Sequence, residues 1–367
     1  MPALHFQHLQ RQLNCLHRML WSMVLLACLP ALAFDLQGHR GARGLAPENT
    51  LAGFRTALAV GVTTLELDLV LSRDGELVVS HDLRLNPDIV RDKSGAWLEG
   101  PAPGPAVHDL SLAELQIFDV GRLRPGSRYA ALYPEQQPVD GERMPTLAQV
   151  VALVQSPTAR HVWLNIETKL NPLQPEASAD PEIFARTLVD ALRRHGMTRR
   201  VSVQSFDWRT LAAVRALAPE LPLVALTARQ SRPHNLADPR WTAGLKLQDY
   251  LDSVPRLVQA IGAATWSPFH GDLTPETLAE AQALKLRVVP WTVNDAAVIE
   301  RLLDWGVDGL ISDHPERVRA ALTRRSQPLP VAVKDVDAVK ATKATKAKQA
   351  TKATQATQAE KVVDASN

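Results

Sequence analysis

Residues Gln37 to Phe54 read QGHRGARGLAPENTLAGF. A short apolar run from Phe34 leads into the stretch. His39 and Arg40 stand where that run ends, and Pro47, Glu48 and Asn49 open a helical pattern built on Thr50 to Val60. The order predicts a strand, a turn and a helix. Gly38, Gly41 and Gly44 loosen the turn, and a backbone without side chains can approach a ligand closely. Alone, a His-Arg-Gly turn specifies little, because a lone histidine is more often a packed residue than a catalyst.

Outward from this turn the same theme repeats. Strands are predicted near Asp35 to Gly38, Thr63 to Val70, Glu76 to Ser80, His161 to Thr168, Val201 to Ser205, Leu223 to Thr227, Ala264 to Ser267, Arg287 to Val293 and Asp308 to Ile311, with helical patterns between most of them. Repeated β-α units argue for a parallel sheet, and this many fit a closed (β/α)8 TIM barrel better than an open sheet. The strand at Glu76 reads as an extension or hairpin partner of the previous one. Leu83 to Pro145, rich in proline and glycine, breaks the rhythm and is too long for a plain barrel loop. It leaves the C-terminal end of the second barrel strand, where barrel active sites lie, so it is expected to cap the pocket, with a decorative surface insertion as the alternative. GERMPTLAQVV, from Gly141, reads as its return to the barrel.

Three further stretches carry ionisable groups at strand ends: TLELDLV from Thr64, VVSHD from Val78 and WLNIETK from Trp163. Side chains alternate along a strand, so Glu66 and Asp68 share one face while Leu65, Leu67 and Leu69 take the other. The same parity aims Glu167 and Lys169 at the barrel mouth. Two carboxylates side by side cannot both stay ionised cheaply without a cation between them. Three from two strands make a hard oxygen site, suited to Ca²⁺ or Mg²⁺ rather than zinc. The bland alternative is a set of rim salt bridges, Glu66 with Lys169 or Asp68 with Arg40. His39 and His81 titrate near pKa ~6.5 when free, so a pair can hold one neutral base and one protonated acid.

In this order HRG, ENT, E-x-D, HD and E-x-K resemble the glycerophosphodiester phosphodiesterase family, and the resemblance covers roughly Phe34 to Arg325. It implies metal ligation by Glu66, Asp68 and Glu167, an insertion at the place of residues 83–145, and attack by the glycerol 2-hydroxyl on phosphorus. Carried over, His39 is the base and His81 the acid, with Arg40 and Lys169 neutralising phosphoryl charge. QSFDW resembles the family's Q-S-F element, so Gln204 is expected to bind the glycerol hydroxyls, with Phe206 and Trp291 lining an apolar wall or else filling the core. GLISDHPE, from Gly309, looks like the closing strand and turn; Asp313 there reads as a helix cap and His314 has no expected role. His108, His195, His234 and His270 read as ordinary surface or loop residues. The implied reaction releases sn-glycerol 3-phosphate from deacylated phospholipids such as glycerophosphocholine or glycerophosphoethanolamine. A phospholipase or lysophospholipase D-type reaction on the same barrel, or a non-catalytic phosphate-binding protein, are the alternatives.

The 367 residues are 46% hydrophobic and 22% charged, the composition of a soluble globular chain with one large core. Met19 to Ala33 is almost wholly apolar, follows Arg11 and Arg18, and closes on Ala31-Leu32-Ala33, which reads as a secretory leader cleaved after Ala33. Leu25-Leu26-Ala27-Cys28 offers a lipoprotein signal as the rival. The apolar run is shorter than the ~20 residues of a spanning helix. Periplasmic or secreted placement follows. Both cysteines, Cys15 and Cys28, lie in the leader, so the mature chain would hold no disulfide. The segment 326–367 is a low-complexity Ala/Thr/Lys tail with no apolar face to bury, expected to be disordered. Its seven Lys against four acids give +3, and since the leader carries two of the +2 total, residues 34–325 carry −3. That balance argues against nucleic-acid binding, while the tail could touch anionic surfaces weakly.

Overall fold

The computed structural model describes residues 34–99, 104–229 and 234–333, so the leader with Cys28 and the tract from 334 onward lie outside the described residues. The opening stretch forms strand β1 (Asp35–Gly38) and helix α1 (Leu51–Val60). Thr50 caps the helix by accepting from Gly53 N, and Gly61 ends it at φ 91°, where its N–H reaches Ala57 O. The buried face of α1, Phe54, Ala57 and Leu58, belongs to the layer between helices and sheet.

The chain then lays down β2 (Thr64–Leu71) and β3 (Leu77–Val79), antiparallel to each other across a turn at Gly75. The expected strand at Glu76 is therefore a hairpin partner of β2. Six more strands follow: β4 (Trp163–Thr168), β5 (Val201–Ser205), β6 (Leu223–Thr227), β7 (Thr265–Pro268), β8 (Arg287–Val288) and β9 (Gly309–Ser312). Apart from β3 they run parallel in the order β8-β7-β6-β5-β4-β2-β1-β9, a nearly closed eight-stranded TIM barrel. The seam is bridged by Asp308 N donating to Val288 O at 2.9 Å, Ile311 N to Pro290 O at 3.0 Å and Val293 N to Ile311 O at 2.9 Å. β8 stops five residues short of the expected Val293, because Pro290 has no N–H to offer the ladder.

Residues 83–145 enclose a small core of their own. Leu85, Val90, Val107, Leu115, Val120 and Met144 pack on Val70 and Val78 of the hairpin. Its described residues include two short α-helices, α2 (Leu112–Leu115) and α3 (Arg128–Leu132). The chain rejoins the barrel where Val79 N donates to Pro145 O, and Thr146 and Gln149 form the capping box of α4 (Leu147–Val154). The outer ring continues with α5 (Pro181–Arg194), α6 (Trp208–Leu217), α7 (Val254–Ile261), α8 (Pro275–Ala283), α9 (Ala296–Trp305) and α10 (Pro315–Arg324). Beyond α10 the chain does not leave the barrel at Ser326. Val333 is buried and its N donates to Leu58 O at 2.9 Å, so residues 326–333 are part of the folded body rather than of the tail. No described helix is long and apolar enough to cross a membrane.

Candidate active site

β2 and β4 pair in register with Asp68 opposite Glu167 and Glu66 opposite Asn165. That register gathers the carboxylates of Glu66, Asp68 and Glu167, whose ligand atoms lie within 4.8 Å of one another, all buried. Burial first, then the charges of Asp68 and Glu167, push Glu66 well above the usual carboxylate range. Burial likewise pushes Glu167 up to about 7, against the pull of Lys169. Asp68 goes the other way: burial is overcome by Lys169, His81 and Arg40, which hold it far below its ordinary value. Asp68 Oδ1 has no hydrogen-bond partner, and an orphaned carboxylate oxygen among three acids fits a hard cation.

The surroundings fix these acids in place. Arg40 N donates to Glu66 Oε2 at 2.7 Å and Asn49 Nδ2 to Asp68 Oδ2 at 2.8 Å. Gln204 Nε2 donates to Glu66 Oε1 at 2.7 Å, while Asn165 Nδ2 donates to Gln204 Oε1 at 2.8 Å. The Gln204 amide thus bonds Glu66 and Asn165 inside the barrel while also lining the inner chamber. Lys169 Nζ lies 2.6 Å from Glu167 Oε1 and 3.6 Å from Asp68 Oδ1. Arg40 pairs with Glu48 at 2.8 Å and brings Nε within 3.4 Å of Asp68. So rim-type ion pairs do exist here, but Lys169 takes Glu167 rather than Glu66.

His39, directly after β1, gives Nδ1 to Asp313 Oδ1 at 2.6 Å. Burial and the Arg43 guanidinium lower its pKa to about 4, against the pull of Asp313. Asp313 is not a helix cap. The N-cap position of α10 falls on His314, whose side chain makes no capping bond, and Asp313 turns inward to His39, to Arg43 Nε at 2.9 Å and to Asn294 Nδ2 at 2.7 Å. His81, after β3, bonds Asp82 through Nδ1 at 2.8 Å. Burial, Arg40 and Lys169 push it below its ordinary value. His39, Arg40, Arg43, His81 and Gln204 face an inner chamber of about 130 Å³. His81, Glu167, Phe206 and Trp291 also line an outer chamber of about 600 Å³, with Trp241 and Arg84 on its far walls. Phe206 meets Trp291 edge to face at 5.3 Å, and both half-buried rings line the outer chamber.

His108, His195, His234 and His270 line neither chamber. A second acid cluster, Glu135, His314 and Glu316, is already served by Arg317, 2.5 Å from Glu135. Arg43 and the true partner of Asp313 escaped the sequence, since the contact spans 270 residues and no local pattern marks it.

A parallel barrel with acids, imidazoles and guanidinium converging on one chamber at its C-terminal mouth is a hydrolase equipped for phosphate diesters. The model of the glycerophosphoryl diester phosphodiesterase family matches residues 39–317, and the chain belongs to that family. Its activity is that of a glycerophosphodiester phosphodiesterase. A glycerophosphodiester phosphodiesterase of Caldanaerobacter subterraneus subsp. tengcongensis is 30% identical over 279 residues, 76% of this chain and 93% of that protein. One from Bacillus subtilis is 30% identical over 281 residues, covering 76% and 83%. Among solved structures, a candidate glycerophosphoryl diester phosphodiesterase from Silicibacter pomeroyi DSS-3 superposes with a TM-score of 0.72 at 34% identity, over 82% of this chain and 96% of that one. An Oleispira antarctica phosphodiesterase, solved in complex with its product sn-glycerol-3-phosphate, shares the fold at 23% identity and a TM-score of 0.56, over 78% and 96%.

Proposed function

We propose that the enzyme cleaves small deacylated glycerophosphodiesters to sn-glycerol 3-phosphate and an alcohol, with His39 and His81 as proton-transfer groups and a divalent cation held by Glu66, Asp68 and Glu167. The observation that carries this reading is the orphaned Asp68 Oδ1 inside a buried three-acid cluster that borders two imidazoles. The product complex of the Oleispira antarctica relative supports the substrate class. When bound, Ca²⁺ or Mg²⁺ would offset the negative charge of the three acids and of the phosphodiester. His39 keeps its Nδ1 hydrogen on Asp313, which leaves the Nε2 lone pair as the basic face. In its neutral form it takes the proton of the glycerol 2-hydroxyl. That oxygen bonds to phosphorus as the bond to the alcohol breaks, and His81 gives its proton to the departing oxygen. Water then opens the cyclic phosphate with the two roles exchanged. Arg40 and Lys169 neutralise non-bridging oxygens.

His81 borders both chambers, so the alcohol leaves into the outer one, past Phe206 and Trp291. Its small inner neighbour favours a deacylated glycerophosphodiester over an intact phospholipid, and product chromatography from glycerophosphocholine and lysophosphatidylcholine separates the two. The deciding assay is glycerol 3-phosphate release from glycerophosphocholine by the chain from Phe34. EDTA should abolish release and either Ca²⁺ or Mg²⁺ restore it; release untouched by EDTA would remove the metal. Replacing either histidine with alanine should cost ~10²- to 10⁴-fold. Only the His81 variant should recover departure of the alcohol with an activated leaving group, while opening of the cyclic phosphate, where His81 is the base, stays slow. Equal loss in both with such a substrate would overturn the assignment. The leader supports a periplasmic or secreted enzyme, tested by the N-terminal residue of exported protein. The Lys-rich tail supports no more than weak contact with anionic surfaces, tested by binding to anionic vesicles with and without residues 334–367.

A further inference from the structure

We propose that Arg43 is a positioning residue for His39, and that residues 83–145 take part in the chemistry by holding Arg43 in place through Tyr129 and Tyr133. This rests on the reading of His39 as the base. The Asp313 carboxylate that orients the imidazole is itself gripped from two sides. Arg43 donates Nε to Oδ1 at 2.9 Å and Nη2 to Oδ2 at 3.2 Å, a bidentate fork, while Asn294 Nδ2 closes on Oδ2 at 2.7 Å. With both oxygens fixed, the one shared by Arg43 and His39 has a single direction in which to meet Nδ1.

Arg43 Nη2 also approaches His39 Nδ1 at 3.2 Å. The carboxylate can only accept, so at 2.6 Å the hydrogen on Nδ1 points at Asp313, and the approach of Arg43 is a flank rather than a second bond. Glu48 and Arg40 complete the charged groups around this side of the ring, and Glu66, His81 and Glu167 face the chamber opposite.

The insertion supplies what keeps the fork aimed. Tyr133 stacks its ring on the Arg43 guanidinium at 4.7 Å, and Arg43 Nη1 donates to the Tyr129 hydroxyl at 3.3 Å. Tyr129 in turn donates to Glu48, the partner of Arg40. Nearby, Gln136 Nε2 donates to Arg43 O at 2.7 Å and Gln137 N to Leu45 O at 2.9 Å. Residues 129–137 therefore clamp the turn that carries His39, from side chain and backbone together. Without them the outer face of Arg43 would open to water, where a solvated guanidinium swings freely.

Two readouts on the metal-loaded full chain test this. Arg43→Met and the double variant Tyr129→Phe/Tyr133→Leu should lower kcat about tenfold or more at a KM within about twofold of wild type, the pattern of lost transition-state alignment. Arg43→Lys should not rescue, since one ammonium cannot fork across Asp313 and stack on Tyr133. Adding Arg43→Met to Asp313→Asn should cost little further. In parallel, ¹⁵N spectra of the His39 ring, assigned by its loss in His39→Gln, should show the Nδ1-protonated tautomer in wild type and a mixture in Arg43→Met. The proposal is overturned by a wild-type tautomer signature in Arg43→Met, by additive losses with Asp313→Asn, or by a raised KM at unchanged kcat, which would make Arg43 a substrate ligand. Were the wild-type chain to hydrolyse no glycerophosphodiester, the functional reading would fall, while the ring spectra would still decide the arrangement.

Discussion

Asp313 accepts from His39, Arg43 and Asn294 at once, three donors from two separate parts of the chain. Asparagine there keeps the shape but loses the charge and offers an N–H₂ where an acceptor stood. We expect Asp313→Asn to lower kcat by about 10- to 100-fold, part of the contribution of a general base, with KM nearly unchanged. A good leaving group should not restore it. Full activity in this variant would show that the tautomer of His39 needs no enforcing. The residue scale also marks where sequence reading reached and where it stopped. Glu66, Asp68, Glu167 and Lys169 could be placed because strand parity is a local property, and the structure brings all four together. Asp313, beside Pro315 and Glu316, has the local look of a cap; only the barrel's closure carries it to His39, 274 positions away. Gln204 had the right parity, but which polar group it would meet was decided by Asn165 on the next strand.

At the scale of elements, the turn from β1 to α1 is the least forgiving part of the molecule. Gly41 sits at φ 87°, and an added Cβ would lie 2.6 Å from Gly53 C and 2.9 Å from Phe54 N. On the other side of the turn a Cβ on Gly53 would come 2.5 Å from Pro47 O. Gly41→Ala therefore meets a left-handed backbone and a clash with the first turn of α1 that no rotamer relieves. The strain costs roughly 1–2 kcal/mol and the overpacking roughly 1–3 more. Chemical denaturation should show a midpoint lowered accordingly, and activity should fall with it because Arg40 and its N–H to Glu66 ride on the same turn. An unchanged midpoint would mean the turn has slack these contacts deny. The stretch was legible for this reason: its glycines are demanded by geometry within a few residues. β8 is shorter than the apolar pattern suggests because Pro290 has no N–H to give, although Trp291 N still reaches Pro268 O and Val293 N reaches Ile311 O.

For the whole molecule, alternation of strand and helix was enough to give a barrel, since the same unit recurs along the chain. The small core of residues 83–145 was not, because its apolar residues are spread among prolines without a period. What the assembled barrel adds is an electrostatic cost that no single strand bears: three carboxylates buried together. Glu66 is pushed well above its ordinary value and Glu167 to about 7, so the folded chain without metal binds protons that the unfolded chain has released. Stability then falls as pH rises through that range. His39 and His81 act in the opposite sense, since their folded values are depressed, but that gain is complete once pH passes the unfolded histidine value near ~6.5. Between about pH 6.5 and 8.5 only the carboxylate cost is left to vary. EDTA-stripped protein should lose a few degrees of melting temperature across this window. Saturating Ca²⁺ or Mg²⁺ should flatten the loss, because the cation takes the place of the protons and binding releases them. Glu66→Gln removes one of the two raised acids and should make the stripped protein's curve shallower without any metal, leaving the share of Glu167 near pH 7. A melting temperature that holds steady or climbs from pH 6.5 to 8.5 in EDTA would show that the acids are not under mutual strain, and the case for a cation among them would lose its physical basis.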